Sequence, residues 1–340
     1  MRKTLLLTAL FTLVFGTMLL TINCSKDGNI SSDSYLKEAD SLFNADDYKP
    51  ALGKYKLAAE KASQEDNNST LVEAYSQIAR CYLKEGNTGE GLTWLAKARE
   101  KASKEEPSGW SRYVGVWGRF EWQAEMARTG EINPEVPKAE AIFIDMYDYC
   151  LANELYSRAV DAAHMVALVA KKEDRLAWGL KGIKAAEEGH LDGWLGPLWN
   201  NHGWNLEDLG RYEEGLEALK KAREYHYKSS RELPKLVADW SVGYAYRKVG
   251  NIDSALSIMT DVIGRADSLY KEDPSTDYAE WVGSTSRELG EIALAQNRPD
   301  EALVYFRKAK DKLIEAGMPE WDKKSFTQLE DQISNLESNH

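Results

Sequence analysis

The sequence predicts an all-α chain of about seven antiparallel helix pairs closed by a C-terminal capping helix. Three observations carry this prediction. Only 9 of 340 residues are Pro, while 43% are hydrophobic and 29% charged, a composition that favours amphipathic helix over turn-rich sheet. Small residues recur at a fixed spacing about every 40 positions. Breaker residues fall between the helical segments where a chain must reverse.

The first segment stands apart from the fold. Arg2 and Lys3 precede an uncharged, mostly apolar run from Thr4 to Ser25, the layout of an export signal or membrane anchor. Cys24 closes the run and polar Ser25, Lys26 and Asp27 follow it. This resembles a bacterial lipoprotein signal peptide. The resemblance implies a signal over residues 1–23, lipidation of Cys24 and a tether over 24–33. It also implies attachment to the cell envelope, at the outer membrane or periplasmic face. Thr21 and Asn23 depart from the usual residues before such a Cys, and an uncleaved N-terminal anchor is the alternative.

The body, expected over 34–338, repeats one pattern: a small residue, a second twelve positions on, and Ala or Val seven further. Ala39, Ala51 and Ala58 are the first set; Ala79, Gly91 and Ala98 the second. Gly203, Gly215 and Ala222, then Gly243, Ala255 and Val262, then Gly290, Ala302 and Ala309 complete it. Two antiparallel helices need small residues where they cross, with bulky residues at helical spacing beside them. Turns are expected at Asn44–Asp47, Glu85–Asn87, Leu209–Arg211, Val249–Asn251 and Gln296–Pro299. Asp253 and Asp300 are candidate caps or first-turn acids. Residues 105–190 lose the pattern, although Gly118 could serve as a first-helix glycine and a pair is expected over Leu155–Glu188. The 47-residue step from Gly243 to Gly290 predicts an insertion around Ser268–Asp277. A final helix over Lys323–Leu336 would shield the last apolar face.

With Trp199, Gly203, Gly215 and Ala222 in one unit, and Ala79, Tyr82 and Ala98 in another, the body resembles the tetratricopeptide repeat family. The resemblance implies a right-handed superhelical solenoid whose first helices line a concave face. It further implies that positions one after and three before the small residue point into that face. Counting from Gly203 selects Asn200 and Trp204; from Gly243, Trp240 and Tyr244, with Arg247 next along; from Gly290, Arg287. Counting from Ala79 selects Ser76, Arg80 and Lys84. Indole, phenol, amide and guanidinium groups on one face suit an extended peptide or a partner helix.

A net charge of −12, from 43 basic and 55 acidic side chains, excludes a chain dominated by a nucleic-acid-binding basic face. No His-Glu-x-x-His, Cys-x-x-Cys or phosphate-cradling Gly loop appears, so no metal, cofactor or catalytic residue is nominated. Three Cys make no disulfide framework; Cys81 and Cys150 are read as free, partly buried thiols, with pairing left open. The function these features predict is a non-catalytic scaffold for protein–protein interaction in the bacterial envelope, with a protein or peptide partner. One alternative is a small-molecule-binding or hydrolytic protein using the Trp/His-rich centre at His190, His202 and Trp204. The other is a structural spacer in an envelope complex.

Overall fold

Helices form because each amphipathic segment ends in a residue that reverses the chain. The computed structural model describes residues 30–129 and 138–338; the run around Cys24 lies outside them. Among the described residues the chain is helical without strands. Two compact units divide it, residues up to Trp194 and residues from Leu195 on.

The first unit holds four helix pairs: α1 (Ser32–Asn44) with α2 (Tyr48–Gln64), α3 (Asn68–Lys84) with α4 (Thr88–Lys101), α5 (Pro107–Thr129) with α6 (Lys138–Ala152), and α7 (Tyr156–Val169) with α8 (Lys172–Glu188). The second unit holds three, α9 (Asp192–Asp208) with α10 (Tyr212–His226), α11 (Glu232–Lys248) with α12 (Ile252–Glu272), and α13 (Thr276–Ala295) with α14 (Pro299–Glu315). A short α15 (Met318–Trp321) leads into α16 (Lys323–Ser338), the expected capping helix. Phe326, Leu329 and Ile333 of α16 cover Phe306, Ala309 and Leu313 of α14 in one apolar cluster.

The repeated small residues are the crossing points. A Cβ on Gly203 would lie 2.7 Å from Cγ of Leu219, and one on Gly290 would lie 2.5 Å from Cε1 of Phe306. Ala39, Ala51, Ala58, Ala79, Ala98, Ala255, Val262, Ala302 and Ala309 are fully buried. Full burial of neighbours such as Tyr55, Phe306 and Leu329 stabilises by about 1.5–3 kcal/mol each. Turns follow one geometry. Gly86, Gly210 and Gly250 adopt positive φ, and the next residue's N–H donates back to the helix, Asn87 to Tyr82 and Asn251 to Tyr246. Asn297 takes the same left-handed conformation ahead of Pro299. Asn251 then caps α12 by accepting from the Ser254 N–H, which leaves Asp253 and Asp300 as first-turn acids.

The extra residues between Gly243 and Gly290 do not form an inserted loop. They lengthen two helices instead, α12 to 21 residues and α13 to 20. Residues 105–190 hold two further pairs. Gly118 is a crossing glycine: a Cβ there would lie 2.7 Å from the Phe143 ring of α6. Among the described residues no helix is long and apolar enough to cross a membrane.

Candidate functional site

In the second unit the first helices of successive pairs, α9, α11 and α13, bring aromatic side chains together. Trp204 of α9 lies 5.0 Å from Tyr244 and 6.1 Å from Trp240, both on α11. Trp240 stacks on Tyr244 at 5.6 Å and meets Trp281 of α13 edge-on at 5.6 Å. Edge-to-face and offset stacking at these separations stabilise beyond area burial alone. Trp204, Trp240 and Tyr244 are half-buried, and the Trp240 indole Nε1 is sealed from solvent with no acceptor among the described residues.

Charge surrounds these rings. Arg247 of α11 donates to Glu288 of α13 at 2.7 Å, and its guanidinium lies 5.4 Å from the Tyr244 ring. Burial pushes the Glu288 carboxyl up, against the pull of Arg247. Burial, aided by the Glu288 and Glu207 carboxylates, pushes the Tyr244 phenol up. Lys248 sits between the Tyr212 and Tyr244 rings, at 4.7 and 6.0 Å.

The six residues singled out in the sequence do not share one environment. Trp204, Trp240, Tyr244 and Arg247 come together as described. Asn200 is only 5% exposed; its Oδ1 accepts from Ser241 at 3.5 Å, so its amide packs between α9 and α11. Arg287 is half-buried, one residue before Glu288, whose carboxyl it helps to hold down. Trp281 went unnoticed in the sequence because it lies more than two turns ahead of Gly290, outside the counted offsets.

Neither histidine of the Trp-rich centre presents a relay. A nucleophile–His–acid arrangement needs both ring nitrogens engaged. Nδ1 of His202 is sealed without a partner among the described residues, and the ring packs edge-on against Trp199. His190 is a turn residue at positive φ. No group of three or more His, Cys, Asp or Glu among the described residues could hold a metal ion.

The first unit carries a second constellation, ionic rather than aromatic. Asp40 of α1 accepts from the Tyr55 hydroxyl at 2.6 Å and from Gln77 at 2.9 Å, with Arg112 of α5 at 3.4 Å. Glu73 of α3 accepts from Arg158 of α7 at 2.6 Å and from the Ser108 hydroxyl, with Arg112 at 3.5 Å. Arg119 of α5 donates to Asp161 of α7 at 2.6 Å. Despite burial, Arg119 and Arg80 bring the Asp161 carboxyl down to about 2. Cys81 and Cys150 are buried, free thiols, and burial pushes both up to about 12.

Residues 196–224 match the sequence profile described as Tetratricopeptide repeat, the segment that contains Trp199, Gly203, Gly215 and Ala222. No curated protein matches the chain. Among solved structures, the chain is similar to a signal transduction ATPase with numerous domains that carries a tetratricopeptide repeat sensor, from Pyrococcus horikoshii. The identity is 14% and the TM-score 0.65, over 87% of this chain and 44% of that one. The chain thus spans less than half the length of that protein. It is also similar to a Rap protein complexed with Competence and Sporulation Factor, at 12% identity and a TM-score of 0.50, over 90% of this chain and 87% of that one. The apo form of RapI is alike at 12% identity and a TM-score of 0.51, over 90% and 86%. These likenesses are of fold.

Proposed function

We propose that the chain acts as a non-catalytic scaffold of the tetratricopeptide-repeat kind, which holds a peptide or partner helix on the face of α9, α11 and α13. The observation that carries this reading is the continuous aromatic row Trp204–Tyr244–Trp240–Trp281, contributed by three successive first helices. Half-buried rings supply contact area at low entropic cost, and such residues dominate binding energy at protein interfaces. Arg247, paired with Glu288, and Lys248 lie beside the Tyr244 ring. One protein of this fold, Rap, is seen in complex with Competence and Sporulation Factor.

The test is capture of a partner from native extracts by the full chain and by the Trp204→Ala/Trp240→Ala double variant. Loss of two aromatic anchors is expected to weaken retention by about 2–4 kcal/mol, which abolishes capture while leaving helical content intact. Undiminished capture by a folded double variant would remove the proposal.

We further propose that the scaffold is held at the bacterial envelope by lipid on Cys24, with the segment before it removed. An acyl chain adds about 0.8 kcal/mol of membrane affinity per buried methylene. Mass spectrometry of the mature N-terminus is expected to show acylated Cys24 as the first residue. An intact chain beginning at Met1 with an unmodified thiol would contradict it.

A further inference from the structure

The aromatic row of the second unit is supplied with positive charge at one end and not at the other. At Tyr244 the Arg247 guanidinium and the Lys248 ammonium lie 5.4 and 6.0 Å from the ring. The indoles Trp204, Trp240 and Trp281 touch other rings but carry no cation among the described residues. Elsewhere in the chain a lysine lies 3.7 Å from the Trp178 ring, 3.9 Å from Trp94 and 4.2 Å from Trp199. Indole is the ring that attracts a cation most strongly. Trp240 stays half-buried after its ring contacts, so part of it faces outward where it meets Trp281 at 69°.

Glu280 of α13 stands beside this corner. Trp281 and Glu288, two turns apart, face α11, where they meet Trp240 and Arg247. Val282 and Leu289, one residue after each, are buried. Glu280 and Arg287, one residue before each, are half-buried and so flank this stripe on its open side. Arg287 has Glu288 beside it, whereas no cation and no hydrogen-bond donor among the described residues acts on Glu280. Burial and Asp277, one turn earlier, push the Glu280 carboxyl up to about 7, the response of a carboxylate placed without a counter-charge. Cation-free indoles and a cation-free carboxylate thus adjoin on one face, in a protein of net charge −12.

We propose that Trp240, Trp281 and Glu280 form a pocket for an arginine side chain of the peptide or helix held on this face. The inference rests on the scaffold reading above and names the partner's chemistry. A guanidinium stacks flat on an indole while its edge donates two parallel hydrogen bonds to a carboxylate, which a lysine ammonium cannot do.

The test is a fluorine-19 titration of the full chain labelled with 5-fluorotryptophan, with resonances assigned from Trp240→Phe and Trp281→Phe. The probes are acetyl-Gly-Arg-Gly-Gly-amide, its lysine and citrulline counterparts, and methylguanidinium. The arginine peptide is expected to shift both resonances saturably, roughly tenfold more tightly than the citrulline peptide, which keeps the planar shape without the charge. Glu280→Gln is expected to remove that advantage and leave citrulline binding unchanged, and Glu280→Asp to restore part of it. Resonances unmoved by every probe would overturn the proposal. So would lysine or citrulline binding as tightly as arginine, or undiminished arginine binding in folded Glu280→Gln. Methylguanidinium binding as tightly as the peptide would overturn the assignment to a partner's side chain. Extract capture separates this failure from that of the scaffold reading. Capture lost in Trp204→Ala/Trp240→Ala but undiminished in Glu280→Gln would keep the scaffold and remove the arginine pocket; capture undiminished in both would remove the scaffold.

Discussion

Gly203 is a residue at which a single methyl group disturbs the fold. Its missing Cβ is where the Leu219 side chain of α10 sits, with Cδ2 at 2.8 Å and the Gly215 carbonyl at 3.3 Å. Both helices bury their neighbours there, so neither side can withdraw without opening the cluster of Leu216, Leu219, Val242 and Ala245. Gly203→Ala is therefore expected to destabilise the second unit by about 1–3 kcal/mol, the cost of overpacking, even though alanine is the better helix former. Urea unfolding measures this; a variant as stable as the parent would show that the crossing has room. The position was legible in the sequence because only a small residue satisfies a close crossing, and the requirement recurs at Gly243 and Gly290. Arg112 and Arg158 gave no such signal. Their partners Asp40 and Glu73 lie 39 to 85 positions away in sequence, and a charged residue on a helix looks the same whether solvated or paired.

At the scale of helices, packing holds two histidines in their neutral form. His164 of α7 is buried, which brings it down to about 4, with Asp161 pulling it back up and Arg119 pushing it further down. His226 of α10 packs its ring within 3.1 Å of the Cβ position of Gly196 on α9, and burial alone brings it down to about 4. Unfolded histidine titrates near 6.5, so the unfolded chain takes up more protons than the folded one between those values. Their contribution is complete above pH ~6.5 and is lost as the pH falls through about 4. The urea midpoint is expected to fall between pH 7 and pH 5, and His226→Gln is expected to shallow that fall. A midpoint flat across this range would contradict it. Helix pairs over 105–190 were the least legible elements, because the helix that follows the Gly118 crossing begins only at Lys138, so the twelve-residue spacing used elsewhere does not reach into it. Applying to Gly118 the offset used elsewhere would have named Arg119. The lengthening of α12 and α13 was hidden for a related reason, since helical spacing alone does not separate a longer pair from a pair with an insertion.

At the scale of the whole molecule, the described residues use one supersecondary unit seven times, and the first helices carry different side chains in the two units. In residues 30–194 their shared face is ionic, built on Asp40, Glu73, Arg112, Arg119, Arg158 and Asp161. In residues 195–338 it is aromatic, built on Trp204, Trp240, Tyr244 and Trp281. Stacked pairs need apolar interfaces between helices but leave this face free to vary, which is how one architecture serves different ligands. The measurement that tests the scaffold reading most directly is photo-crosslinking from two positions of the second unit. A benzoyl-phenylalanine at position 287 lies beside Glu288 on the face of the first helices, and one at position 304 replaces Val304, 66% exposed on the second helix α14. Irradiation in the native setting is expected to attach a partner protein to position 287 and nothing to position 304. Attachment from 304 with none from 287 would contradict the account.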